Sequence, residues 1–144
     1  MKNRVVRPVR PYDVGEVADI SRRAYAARWS RDAYEAETKR LDSVFLVADS
    51  GAVRGYAIAR IFDDEARLLD FVSAEDGRGI GRDLWLELAA AARARGAAKL
   101  TLEVSSANSR ALLFYKRAGA RVVGRRAKFY NDGSDAVLMD FPLP

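Results

Sequence analysis

The stretch EDGRGIGRDLWLEL, residues 75–88, holds three glycines, Gly77, Gly79 and Gly81, which alternate with Arg78 and Ile80. Glycine loses more backbone entropy on folding than any other residue, so three this close together need a reason. An apolar run, ARLLDFVS at 66–73, precedes them and reads as a strand inside a sheet. Behind them Ile80, Leu84, Leu88 and Ala91 recur at helical spacing until Gly96. A strand feeding a glycine turn and then a helix N-terminus is a ready anion site, with free N–H groups and the positive end of the helix dipole aimed at the ligand. Closely spaced glycines let diphosphate oxygens approach the main chain, and Arg78 and Arg82 add charge-assisted contacts. A tight connection whose glycines only permit unusual φ and ψ fits the same letters, and a Gly-rich turn alone does not choose between the two.

Outward from the turn the chain reads as alternating elements. Residues 5–10 alternate as a first strand; Asp13 then caps a helical pattern through Val17, Ile20, Ala24 and Ala27. Residues 28–40 form a second short helix capped by Ser30. Residues 43–62 are a hairpin, two β-rich runs around Asp49, Ser50 and Gly51. On the far side of the turn, 98–106 is a buried strand, Asn108 caps a helix over 109–118 and Gly119 ends it. Residues 121–130 and 135–141 close the chain as two strands around the turn NDGSD. The order β-α-α-β-β-β-α-β-α-β-β implies one mixed α/β sheet with helices on both faces, and a single domain over residues 1–144.

Composition excludes several chemistries. The 144 residues include neither His nor Cys, which removes Ser-His-Asp and Cys-His devices and zinc sites built on those ligands. Proton transfer must then use carboxylates, Lys, Tyr or water. No run approaches the ~18 uncharged apolar residues of a membrane span, and the basic start MKNRVVRPVR lacks an apolar signal core, so a cytoplasmic protein is expected. The net charge of +5 fits an anionic ligand or an Arg-rich solvated surface; no nucleic-acid recognition motif accompanies it.

Two familiar phosphate motifs fail. Nothing matches a P-loop. A dinucleotide fingerprint starting at Gly77 needs glycine where Arg82 stands, and Glu103, the acid about 20 residues on, lies within a strand rather than just beyond it.

Gly79-Ile80-Gly81 instead resembles the second half of the acetyl-CoA signature Q/R-x-x-G-x-G/A of the GNAT (Gcn5-related) N-acetyltransferases, with Asp76 where Gln or Arg is usual. The segment LEVSSANSRALLFYKRAGARVVGRR, residues 102–126, resembles that family's L-E-V-x-x-x-N-x-x-A-x-x-L-Y pattern. The tail KFYNDGSDAVLM and the early RWSRDAYEAE are similar to the bacterial ribosomal-protein alanine N-acetyltransferase branch. The resemblance implies a GNAT fold, a mixed and mostly antiparallel sheet of about seven strands flanked by about four helices. It implies acetyl-CoA as cosubstrate with no metal, and an amine acceptor, foremost a protein or peptide N-terminus such as that of a ribosomal protein. No membrane or nucleic-acid partner is expected, and the molecule is a monomer or homodimer. A small-molecule amine acetyltransferase and a non-catalytic acyl-CoA sensor are the alternatives.

Two residues stand out as catalysts. Glu103 interrupts the apolar LTLEV; partial burial there raises a carboxyl pKa and suits a base, whereas an ion pair with an Arg such as Arg121 is the structural alternative. By resemblance, Glu103 accepts the amine's proton. Tyr115 either packs the core with Leu112 and Phe114 or, as the resemblance implies, protonates the departing thiolate, a phenol near 10 facing a thiol near 8.5. Cofactor contacts are expected from Asp70, Phe71 and Val72 on the strand, from Gly77, Arg78, Gly79, Ile80, Gly81 and Arg82 at the turn, and from Asn108. By resemblance a β-bulge aims the amide of Phe71 or Val72 at the thioester oxygen. Asp70 faces either the substrate amine or the surface. Phe129 and Tyr130 either wall a peptide slot or pack as ordinary strand residues.

Overall fold

The computed structural model describes residues 4–24, 29–73 and 79–144. Seven strands make one sheet: β1 (Val5–Pro8), β2 (Ser43–Asp49), β3 (Val53–Phe62), β4 (Glu65–Ser73), β5 (Lys99–Ser105), β6 (Arg121–Arg126) and β7 (Ala136–Pro142). Their spatial order is β1-β2-β3-β4-β5-β7-β6, antiparallel except at β4 and β5. Four helices join them: α1 (Val14–Ala24), α2 (Arg31–Thr38), α3 (Ile80–Ala94) and α4 (Ser109–Ala118). The element order is the one the sequence implied.

Strand alternation explains why helices cover both faces. Val44, Leu46 and Ala48 of β2 point to the side of α3, where Ile80, Leu84, Trp85 and Leu88 are buried; Phe45 and Val47 point to the side of α1 and α2, against Val17, Ile20 and Tyr34. The two cores are separate because the sheet lies between them.

Helix ends follow the caps. Ser30 Oγ accepts the Ala33 N–H at 3.1 Å, Asn108 Oδ1 accepts the Ala111 N–H at 3.2 Å, and Gly119 ends α4 at φ 108°. Asp13 is different. It closes a single 3-10 turn, Pro11–Asp13, and its carboxylate turns back to accept from the Arg10 N–H at 2.7 Å and from Arg7 at 2.8 and 2.9 Å. A buried carboxylate gains more from a guanidinium than from helix amides, so Arg7 claims it. The first strand correspondingly ends at Pro8 and not at residue 10. The strand expected over 121–130 ends at Arg126, because Lys128 adopts φ 51° and donates its N–H to Asp135 Oδ1 at 3.0 Å, which turns the chain. The helical pattern through Ala27 runs outside the described residues.

One break in the sheet matters most. β4 and β5 pair in parallel only from Glu65, Ala66 and Arg67 to Lys99, Leu100 and Thr101. Just beyond, Ala59 pairs with Leu68 but Ile58 pairs with Asp70, so Leu69 is an extra residue, a β-bulge. A bulge bends its strand and increases the twist. β4 therefore swings away from β5, and a cleft opens between them.

Candidate active site

The cleft has a volume of about 1000 Å3. Leu68, Leu69, Asp70 and Phe71 line one wall; Glu103, Val104 and Ser105 line the other, with Asn108 and Tyr115 from α4. Glu103 and Tyr115, far apart in function if Tyr115 were only core, open into the same space. Phe129 and Tyr130 line it too, their rings 5.1 Å apart. Neither lies in a strand, so they do not pack as strand residues: they sit at the mouth, after the turn at Lys128.

Glu103 is not buried in its strand. Its side chain is 41% exposed and pairs with Arg126 at 3.6 Å. Two expectations are corrected here. Val104 and Leu102 take the inward positions and leave Glu103 on the open face. The partner is Arg126 and not Arg121, because β6 runs so that Arg126 lies opposite Ala136 near the cleft, while Arg121 lies opposite Asp140 toward the other end of the sheet. An exposed pair of this length stabilises the fold by about 0–1 kcal/mol, and the carboxylate stays accessible from the cleft.

Tyr115 is 8% exposed and belongs to an aromatic cluster: its ring lies 6.2 Å from Phe71, 5.6 Å from Trp85 and 5.4 Å from Phe114. The ring packs in the core while the residue still lines the cleft, so core packing does not remove Tyr115 from that space. Phe71 shares this cluster, whereas Val72 is buried on the opposite face with Val53 and Tyr56.

At the glycine turn, Gly77 and Arg78 lie outside the described residues. Gly79 precedes α3 at φ 77°, a left-handed conformation that side chains resist. The first intrahelical bond runs from the Asp83 N–H to the Gly79 carbonyl, so the amides of Ile80, Gly81 and Arg82 precede the ladder. Ile80 points into the core and Arg82 is exposed, which makes Ile80 a backbone donor only. Gly81 has a packing reason as well: a Cβ there would lie 3.2 Å from the Phe114 ring, so its absence lets α3 approach α4. Asp83 places negative charge in the first turn of α3, and Arg4 donates from Nε and Nη2 to Asp83 Oδ2 at 2.8 and 2.6 Å and offsets it.

The main feature that sequence reasoning missed lies behind the bulge. Asp70, 2% exposed, is not at the surface. Its Oδ2 accepts from the Tyr34 hydroxyl at 2.7 Å and the Tyr56 hydroxyl at 2.9 Å; these hydroxyls are 2.9 Å apart, and Ser21 Oγ lies 2.8 Å from that of Tyr34. Burial pushes the Tyr34 phenol up to about 12, and burial followed by the Asp70 charge pushes Tyr56 up further. Both phenols are therefore protonated donors at neutral pH. Tyr and Asp within apolar strands, GYAIA and LLDFVS, were the available signal.

With this geometry in view, comparison settles the family. The model of the acetyltransferase (GNAT) family matches residues 14–120. The chain belongs to the acetyltransferase (GNAT) family. A relative from Escherichia coli, ribosomal protein bS18-alanine N-acetyltransferase, is 29% identical over 136 residues, covering 91% of this chain and 92% of that protein. The N-alpha-acetyltransferase RimI of Mycobacterium tuberculosis is 34% identical over 119 residues, covering 77% and 73%. The crystal structure of an E. coli ribosomal-protein alanine N-acetyltransferase superposes with a TM-score of 0.87 at 26% identity, covering 97% of this chain and 94% of that one. Membership carries the expected enzyme class, an acetyl-CoA-dependent N-acetyltransferase. The mixed, mostly antiparallel seven-stranded sheet with four helices is the GNAT fold expected. No helix among the described residues is long and apolar enough to cross a membrane.

Proposed function

We propose that this cytoplasmic enzyme transfers the acetyl group of acetyl-CoA to the N-terminal α-amine of a protein or peptide, with a ribosomal protein as its cellular acceptor. The single observation that carries this reading is the cleft. A strand edge whose pairing with β5 covers Glu65–Arg67 and then diverges forms one wall, a carboxylate and a phenol from β5 and α4 lie opposite, and two aromatic rings line the same space. An acyl arm extending along the edge of β4 meets an amine entering past Phe129 and Tyr130.

The chain's residues then divide the work. The amides of Ile80, Gly81 and Arg82 hold the diphosphate of the cosubstrate. Gly79 at φ 77° and the first amides of α3 fit such a group. Asn108 bonds the arm, and Asp70 sets the strand that the arm follows. The Phe71 or Val72 amide donates to the carbonyl oxygen as it becomes an oxyanion. Glu103 takes a proton from the attacking amine, directly or through water, as the N–C bond forms. Tyr115 gives its proton to the sulfur as the C–S bond breaks. The products are an amide and free coenzyme A.

The choice of amine follows from basicity. An α-amine with a pKa near 8 is about a tenth neutral at pH 7, whereas well under a hundredth of a lysine amine near 10.4 is neutral. An exposed carboxylate such as Glu103 is a weak base and is suited to the former. Mass spectrometry of products from ribosomal-protein N-terminal peptides, lysine peptides and small amines tests the reading. Acetylation confined to the α-amine is the expected result; turnover confined to small amines overturns it.

A further inference from the structure

The group Ser21, Tyr34, Tyr56 and Asp70 has no part in the chemistry above beyond Asp70 itself, yet it brings together α1, α2, β3 and β4. Two phenols and a carboxylate in a core are costly to desolvate unless each is hydrogen-bonded, and phenylalanine in place of either tyrosine would avoid that cost. The other buried carboxylates, Asp13 and Glu37, are held by Arg7 and Arg60. Asp70 is held by phenols, and it directly follows the bulge residue Leu69.

We propose that Tyr34 and Tyr56 are positioning residues for the acetyl transfer: through Asp70 they set the backbone of β4 just after its bulge, where the oxyanion-binding amide lies. A bulge bends its strand, so side chains packed on either side of it set the direction the strand takes. The next residues are gripped from both faces of the sheet. Asp70 is held by the phenols on the α1 and α2 side, while the Phe71 ring sits 5.5 Å from Phe114 and 6.3 Å from Trp85 on the α3 and α4 side. A small tilt of this segment moves the Phe71 and Val72 amides relative to a thioester oxygen, and hydrogen-bond strength falls steeply with angle. Tyr34 also stacks on Trp29 at 5.1 Å, so the same clamp joins the start of α2 to the strand.

The inference rests on the oxyanion amide of the proposed function, and its deciding readout needs no acceptor. Acetyl-CoA carrying a heavy-carbon label at the thioester carbonyl is bound to the full chain, and the carbonyl stretch is read by difference infrared spectroscopy in wild type, Tyr34→Phe and Tyr56→Phe. Wild type is expected to displace the stretch to lower frequency. Each variant is expected to lose about half of that displacement or more, with acetyl-CoA affinity within about threefold and kcat on an accepted amine lowered about tenfold. The pH–rate profile keeps its shape, because neither phenol exchanges a proton in the reaction. Spectra are compared at equal folded fraction by circular dichroism, so a merely structural role leaves the stretch unmoved. If Tyr56→Phe does not fold, Tyr34→Phe carries the comparison alone. Full displacement in the folded Phe variants, or none in wild type, overturns the proposal. A wild-type displacement without peptide turnover counts against the acceptor assignment and leaves the positioning comparison intact.

Discussion

Tyr115 meets the cleft with a side chain that is otherwise packed among three aromatic rings. Removing its hydroxyl leaves that packing in place, so Tyr115→Phe tests the proposed proton donor. We expect kcat to fall about 10²–10⁴-fold, with acetyl-CoA affinity by calorimetry unchanged within about threefold. Glu103, the proposed base, lines the same cleft with Arg126 beside it. Glu103→Gln is expected to flatten the acidic limb of the kcat/KM profile; an unaltered limb removes Glu103 from the role of base. The type and strand position of Glu103 were legible as an acid in LTLEV, but its environment was not. Whether a strand residue faces core or cleft depends on how the neighbouring strand diverges, and that divergence arises at Leu69 on a different element. Arg126 was missed for a related reason, since it reaches Glu103 across β7 and not from an adjacent strand.

At the scale of elements, periodicity carried most of the information. The apolar alternation of β2, β3 and β4, the helical spacing in α3, and the caps at Ser30, Asn108 and Gly119 are local, and local signals can be read from neighbours in the chain. Long-range choices were not readable. Asp13 turned from cap to ion-pair partner because Arg7 lies in reach, and the Tyr34–Asp70 bond spans 36 residues and two elements. The turn before α3 shows both kinds. Three glycines announced an unusual backbone, but only the structure separates Gly79, needed for φ 77°, from Gly81, needed for the contact with Phe114. Gly79→Val places a β-branched side chain in a left-handed conformation and misdirects the first amides of α3. Acetyl-CoA binding by calorimetry is expected to be lost while α3, anchored by Leu84, Trp85 and Leu88, remains folded by circular dichroism. Normal affinity in that variant would argue against the diphosphate site.

Across the whole molecule, two buried carboxylates tie the helical layer to the sheet. Burial alone would raise the carboxyls of Asp13 and Glu37, but hydrogen bonds from Arg7 and Arg60 outweigh it and hold both below the usual range. The folded protein thus binds these protons less readily than the unfolded chain. Their stabilisation is complete above the unfolded value near 4 and is lost as pH falls through the lower folded values. Denaturant melts should show stability level between about pH 7 and 5 and declining below about 4. Arg60→Met leaves Glu37 buried without its guanidinium; we expect a loss of about 3 kcal/mol at neutral pH, at the low end for such a pair because Arg60 is itself partly exposed. That variant should also lose less stability on acidification, since Glu37 then gains from protonation.

The catalytic and cofactor-binding effects depend on one proposed arrangement, in which the bulged edge of β4 receives an acyl arm whose diphosphate rests on the start of α3. The most direct measurement is a crystal structure with a bisubstrate analogue, coenzyme A joined through an acetyl link to the α-amine of a short peptide. The account predicts the diphosphate on the amides of Ile80, Gly81 and Arg82, and the junction carbon between Glu103 and the Tyr115 hydroxyl, with the peptide leaving past Phe129 and Tyr130. A diphosphate bound elsewhere, or a junction out of reach of both side chains, would contradict it.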